Sequence, residues 1–185
     1  MTDDELVRLA RAGDVDAFDQ LVIRHQAAVF RAALAALRVR EEAEEAAQDA
    51  LVRAWKNLGA FRGDSSFRTW LVSIAWNRAI SKRRSLTTWF ARRAPLDQTD
   101  QMAGGSVGPL DALGERELAR HAAAAIGALS PKLRDALLLA QSREYDYEEM
   151  AAMLKVPVGT VKWRVSEARR QVRQRLAALG FVDGD

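Results

Sequence analysis

From Lys155 to Arg175 the chain carries Lys155, Lys162, Arg164, Arg169, Arg170, Arg173 and Arg175 against one acid, Glu167. Cations at that density suit phosphates, which fix register without reading sequence. The residues interleaved with them have a different use. In a major groove a lysine donates to guanine, a glutamate accepts from the cytosine amino group, and a tryptophan offers apolar surface to a thymine methyl. Lys162, Trp163, Ser166, Glu167 and Arg170 have that chemistry if one helix face presents them together, with Arg164, Arg169 and Arg173 flanking it. A second basic cluster, Lys82, Arg83 and Arg84, closes the first half of the chain. Between residues 41 and 49 lie Glu41, Glu42, Glu44, Glu45 and Asp49 with no basic residue among them. Such runs also occur as plain solvated helix faces, so their meaning depends on the elements that carry them.

Other chemistries find little support. The chain of 185 residues has no cysteine, which excludes disulfides, thiol catalysis and cysteine-based zinc sites within it. Its two histidines, His25 and His121, lie far apart in sequence, and no clustered acid–base constellation suggests an enzyme. No cofactor or metal is expected. With 49% apolar residues the chain can build a real core, yet it has no apolar run long enough for a membrane span. The charged start, MTDDELVRLARAGD, is unlike a secretory signal. The expectation is a soluble, cytoplasmic protein. Its net charge is only +3, but a pI of about 9.6 fits local basic patches and a polyanionic partner.

The elements needed to position these residues are helices throughout, since no convincing period-2 stretch occurs. Thr2 and Glu5 have capping-box spacing, and Gly13 stands where a helix stop belongs. Asp14 or Asp16 caps a second helix, with Phe18, Leu21, Val22, His25, Val29, Ala33 and Leu37 at three- and four-residue spacing. A third runs from about Glu41 to Leu58, with Ala43, Ala47, Ala50, Leu51, Ala54 and Leu58 on one side and Gly59 after it. A polar loop, Ala60 to Ser66, leads into a fourth helix expected over Phe67 to Arg84.

Pro95, Gly104, Gly105, Ser106, Gly108, Pro109 and Gly114 then read as a linker. Helical periodicity returns from Glu115 to Leu129. Ser130-Pro131 starts another helix, Tyr147 to Lys155 forms the next, and Gly159 or Thr160 opens a last one reaching about Leu179. The short helix, turn and longer helix make a helix-turn-helix, in which Met150, Ala151 and Leu154 face Val161, Val165, Ala168 and Val172. The expected fold is all-α: two small helical domains, 1–86 and 115–185, joined by a flexible linker over 87–114.

Residues 128 to 170, and most specifically VPVGTVKWRVSEAR from Val156 to Arg169, resemble region 4 of the extracytoplasmic-function sigma factors of bacterial RNA polymerase. EEAEEAAQDALVRAW, Glu41 to Trp55, is similar to that family's region 2 helix that grips the polymerase clamp. FRGDSSFRTWLVSIAWNRAI, Phe61 to Ile80, resembles its loop and helix that read and open the minus-ten element. The resemblance covers nearly the whole chain. It implies a promoter-specificity subunit that binds core polymerase, through the clamp of the beta-prime subunit and the beta flap, and then recognises and melts promoter DNA. A free-standing helix-turn-helix regulator is the alternative, because such domains share part of the C-terminal motif.

The resemblance also assigns residues. Phe61, Arg62, Gly63, Asp64, Ser65 and Ser66 would form the loop that holds a base flipped from the non-template strand, with Asn77 reading a base edge and Lys82, Arg83 and Arg84 meeting phosphates. A flipped base loses a few kcal/mol of stacking, so a pocket with an aromatic wall and hydrogen bonds must replace it. The competing reading of Phe61 is a loop aromatic folded onto its own helix. Trp70 is expected in the core with Ile74. Thr160, Lys162, Trp163, Arg164, Ser166, Glu167, Arg169, Arg170 and Arg173 would meet the double-stranded minus-thirty-five element. Glu45, Gln48, Asp49, Val52 and Trp55 would face the polymerase.

Some positions depart from the family pattern. Ala46 and Ala47 replace larger aliphatics, Glu45 replaces aspartate, Ser130 stands for a common proline, and Trp163 for a small polar residue. Members are commonly held inactive by an anti-sigma protein, which makes such a partner an expectation here. Trp89 and Phe90, beside Arg92 and Arg93, have no assigned role and are candidates for its anchor.

Overall fold

The computed structural model describes residues 1–93 and 111–181, with side chains described for 1–85 and 116–181. Eight α-helices and no strand occur among these residues. They are α1 (Asp3–Arg11), α2 (Val15–Leu37), α3 (Arg40–Lys56), α4 (Phe67–Arg93), α5 (Asp111–Gly127), α6 (Pro131–Ser142), α7 (Tyr147–Leu154) and α8 (Val158–Ala177). Capping follows the sequence. The Thr2 backbone N–H donates to Glu5 at 2.8 Å while the Glu5 N–H donates to the Thr2 hydroxyl at 3.3 Å, a complete capping box. Asp14, not Asp16, caps α2 by accepting from the Ala17 N–H at 3.0 Å.

Two boundaries differ from expectation. Leu58 lies beyond α3, in a 3₁₀ turn (Leu58–Ala60). The α4 helix runs nine residues past Arg84, because SLTTWFARR holds neither glycine nor proline and the first strong breaker is Pro95. Trp89 and Phe90 therefore ride on a helix, though their side chains lie outside those described. The linker expected from Pro95 to Gly114 falls largely outside the described residues, and α5 begins inside it at Asp111.

The first half is built around α2, α3 and α4, which pack on one another, with α1 against α2. Alanine dominates the seam: Ala28, Ala32, Ala33 and Ala36 of α2 and Ala43, Ala46, Ala47, Ala50 and Ala54 of α3 are all buried. Small side chains let helix backbones approach closely, which explains Ala46 and Ala47 in place of larger aliphatics. The volume is filled instead from α4, by Phe67, Leu71, Val72 and the fully buried Trp76. Trp70 is only partly buried, packed with Ile74 against this core.

In the second half α6, α7 and α8 form the expected helix-turn-helix. Val161 and Val165 are buried together with Met150 and Ala151, with the half-buried Leu154 against them. Ala168 is instead buried with Leu129, Leu133 and Leu137, with the half-buried Val172 against these, because α8 continues past α7 and meets α5 and α6 there. Asp146 and Glu149 form a second capping box at the start of α7. Lys155, at φ 54°, makes the left-handed turn residue between α7 and α8. Sequence spacing treats the halves as separate domains, but the structure packs them together. One continuous apolar cluster joins Leu71 and Trp76 to Leu138, Leu139, Tyr145 and Met150.

Candidate nucleic-acid and polymerase surfaces

The α8 helix buries Val161, Val165 and Ala168, and that choice turns Lys162, Trp163, Ser166, Arg169, Arg170 and Arg173 outward. Trp163 is 62% exposed, a large apolar surface with no intramolecular partner among the described aromatic contacts. Thr160, Arg164 and Glu167 are half-buried at the edge of the same face. The Lys162 ammonium lies 5.6 Å from the Tyr147 ring centroid, a cation–π contact that steadies its stem. Glu167 accepts from Arg170 Nε at 2.8 Å and Nη2 at 2.6 Å, and from Gln171 Nε2 at 2.7 Å. The Arg170 hydrogen bonds, helped by Gln171, pull the Glu167 carboxyl down to about 2. Arg175 instead turns inward, donating to the Ala125 carbonyl at 3.2 Å, and ties α8 to α5.

In the first half the loop before α4 leaves Arg62, Gly63, Asp64 and Ser66 exposed and Ser65 half-buried. Gly63 sits at φ 81°, a conformation L side chains rarely adopt. Ser66 accepts from the Thr69 N–H at 3.1 Å and caps the helix start. Phe61 faces the core at 6% exposure, its ring edge-on to Phe67 at 5.8 Å and against Trp70 at 5.2 Å. This is the loop aromatic folded onto its own helix, so in this conformation the ring backs the loop rather than offering a stacking wall. Asn77 is exposed nearly three turns along α4, donating to the Ser73 carbonyl at 2.7 Å.

The Lys82–Arg84 cluster within α4 is engaged by other helices. Lys82 bridges Glu42 and Glu45 of α3, the latter at 2.6 Å. Burial alone would lower the Lys82 ammonium, but these two carboxylates outweigh it and hold it above the ordinary lysine value. Arg83 pairs with Asp135 of α6 and donates to the Ala36 carbonyl at 3.2 Å, while Arg84 lies 4.0 Å from the same Asp135.

Along α3, Glu45, Gln48, Val52 and Trp55 form one outward column at spacings of three and four residues. Val52 is 51% exposed, and Trp55 covers Phe18 with ring centroids 4.9 Å apart. Asp49 leaves that column for an ion pair with Arg78, supported by Arg53 at 3.6 Å. The Arg78 hydrogen bond holds its carboxyl below the usual range.

A polar seam missed by the sequence reading joins the halves. Arg68 of α4 donates to Glu149 at 2.8 Å, as does the Thr69 hydroxyl at 3.2 Å. Arg31 of α2 reaches Glu144 at 3.0 Å, and the buried Tyr145 hydroxyl points to the Ala28 carbonyl at 3.5 Å. Only Asp135, a lone acid in the apolar run LRDALLLA, carries a sequence signal for this seam. A carboxylate that a helix must bury requires a cation from elsewhere. No group of three or more His, Cys, Asp or Glu side chains capable of holding a metal occurs among the described residues.

Comparisons with known proteins agree with this division. The Sigma-70 region 2 family matches residues 21–92 and the Sigma-70 region 4 family matches residues 122–172. The chain is 32% identical to the RNA polymerase sigma-H factor of Pseudomonas aeruginosa over 183 residues, 96% of this chain and 95% of that one. It is 33% identical to the ECF RNA polymerase sigma-E factor of Escherichia coli K12, covering 97% and 96%. Among solved structures, CnrH in complex with the cytosolic domain of CnrY aligns with TM-score 0.63 at 29% identity, covering 95% of this chain and 97% of that one. The sigma factor RpoE in complex with the anti-sigma factor NepR from Bartonella quintana aligns with TM-score 0.60 at 26% identity, covering 90% and 98%.

Proposed function

Because the chain belongs to the extracytoplasmic-function sigma factors, promoter-specificity subunits of RNA polymerase, we propose a division of labour among its surfaces. The α3 column of Glu45, Gln48, Val52 and Trp55 meets the clamp of the beta-prime subunit, and region 4 meets the beta flap. The acids of α3 steer this association more than they strengthen it. The α8 face reads the double-stranded minus-thirty-five element with Lys162, Trp163, Ser166 and the Glu167–Arg170 pair, while Arg169 and Arg173 hold phosphates. The loop from Arg62 to Ser66 receives the flipped base of the minus-ten element, and Asn77 reads an edge beside it.

The observation that carries this reading is the α8 face, where an exposed tryptophan lies among cations on a helix otherwise seated in a helix-turn-helix. Run-off transcription by core polymerase on a promoter library tests it. The chain should direct initiation from one promoter class, and only with polymerase. Specific operator binding by the isolated chain, with no effect on polymerase, would instead identify a free-standing regulator.

The packed arrangement has a functional consequence. Arg83 holds Asp135 and Arg68 holds Glu149, so these two α4 cations are occupied by the second half of the same chain. For Arg83 to meet a phosphate, the halves must part. An anti-sigma partner, of the kind bound by the neighbouring structures, would stabilise the packed arrangement, and polymerase the extended one. Labels introduced at exposed Ala27 and Ala178 report the separation. A longer distance with polymerase than in the free chain or with inhibitor is expected, and one distance in all three states would refute the two arrangements.

A further inference from the structure

We propose that Arg170, rather than Glu167, reads a base at the far end of the α8 face, and that Glu167 is its positioning residue. The inference rests on α8 being the promoter-reading helix and divides the work within it. Recognition helices reach base edges with side chains at i, i+3, i+4 and i+7. On α8 that set is Trp163, Ser166, Glu167 and Arg170. Three of the four are exposed, whereas the Glu167 side chain is 19% exposed against 56% for Arg170.

Both Glu167 oxygens are already in use. Oε2 accepts from Arg170 Nε, and Oε1 accepts from Arg170 Nη2 and Gln171 Nε2. To accept from a cytosine amino group, this carboxylate would have to release a charge-assisted bond. The arginine is engaged along one edge only. The Nε edge faces Glu167, which leaves the end of the guanidinium, Nη1 and the second Nη2 proton, as two parallel donors. That fork matches guanine N7 and O6, the commonest specific contact in the major groove. An arginine already held at Nε has less side-chain freedom to lose on binding. Among the described residues Arg169 and Arg173 have no comparable carboxylate, and they keep the phosphate role. An ion pair between neighbours on one helix at the surface adds little to folding, so removing Glu167 should alter base preference with little change in stability.

The test is selection by holoenzyme, core polymerase plus the full chain, from duplexes randomised across the upstream element. The parental chain should prefer guanine at one base pair, and Arg170→Ala should cut that preference roughly 5- to 100-fold. Glu167→Ala should lose most of the same preference at the same base pair, and the double variant should be no worse than Arg170→Ala. Arg170→Lys should keep overall affinity and salt dependence yet weaken the guanine preference, because a lysine still donates to guanine but lacks the fork that Glu167 holds in place. The melting temperature of Glu167→Ala should stay close to that of the parent. If Glu167→Ala changes a cytosine preference elsewhere while Arg170→Ala does not, Glu167 is the reader and the proposal falls. A uniform weakening by Arg170→Ala on every sequence would overturn it too, by making Arg170 a phosphate contact. A parental holoenzyme with no preference in the upstream element would sink the promoter reading itself, a different failure.

Discussion

The Lys82–Arg84 cluster of α4 and the basic face of α8 look alike in sequence, and the structure treats them oppositely. On α8 Lys162, Arg169, Arg170 and Arg173 stay outward, and the one carboxylate among them is bound by its neighbours three and four residues on. On α4, Lys82 is held by α3 and Arg83 by α6, 52 residues away. One surface is ready for a polyanion and the other is already in use. A run of cations thus shows potential for phosphate binding, while the neighbouring helices decide whether it is available.

The strongest way to break this contrast is to release Arg83. Asp135→Asn leaves the guanidinium facing a neutral amide in a pair whose side chains are 16% and 10% exposed. A loss of about 2–4 kcal/mol in the packed arrangement is expected. The Ala27–Ala178 distance in the free chain should lengthen, and its non-specific DNA affinity should rise. An unchanged distance would mean that the apolar cluster alone holds the halves together.

Next in size are substitutions on the open surface. Lys162→Ala or Trp163→Ala should each cost ~1–3 kcal/mol at a single promoter position. Arg173→Ala should weaken all sequences alike and reduce the salt slope by about one. If all three act alike in a selection experiment, the separation of readers from phosphate contacts on α8 is wrong.

On the α4 side, Asn77→Ala should leave polymerase binding intact and slow promoter opening, with activity partly restored on a premelted bubble template. Opening at the parental rate would remove Asn77 from the site. Phe61→Ala is a poorer probe, because deleting a buried phenylalanine costs roughly 3–5 kcal/mol of stability before any effect on DNA is felt.

The smallest effect is a titration. Tyr145 lies in the seam between the halves, facing Arg31, Arg68, Glu144 and Glu149, and burial pushes its phenol up to about 12. The neutral phenol is the form the packed state prefers, so its stabilisation is complete below the ordinary tyrosine value of about 10 and fades as pH rises toward 12. Ultraviolet titration should show a phenolate forming near the top of that range, absent from Tyr145→Phe. Without that late step, the halves are not packed in solution.

Much of this molecule is local and could be read in the chain itself. The capping boxes at Thr2 and Asp146, the helix-turn-helix and the outward face of α8 follow from spacing, because a helix of 3.6 residues per turn that buries Val161, Val165 and Ala168 has no choice about where Lys162, Trp163 and Arg170 point. The family was legible for the same reason, since its motifs are contiguous. Tertiary structure alone decided the inward turn of Phe61, the capture of Lys82 and Arg83, and the joining of two expected domains by Arg68 and Glu149 across 81 residues. Periodicity settles which side of a helix is apolar, but a charge shows no preference along the chain among distant opposite charges. Which carboxylate reaches Arg83 depends on how the helices stack, and that is set by the shapes of the alanine seam and of Trp76 rather than by anything near Arg83 in sequence.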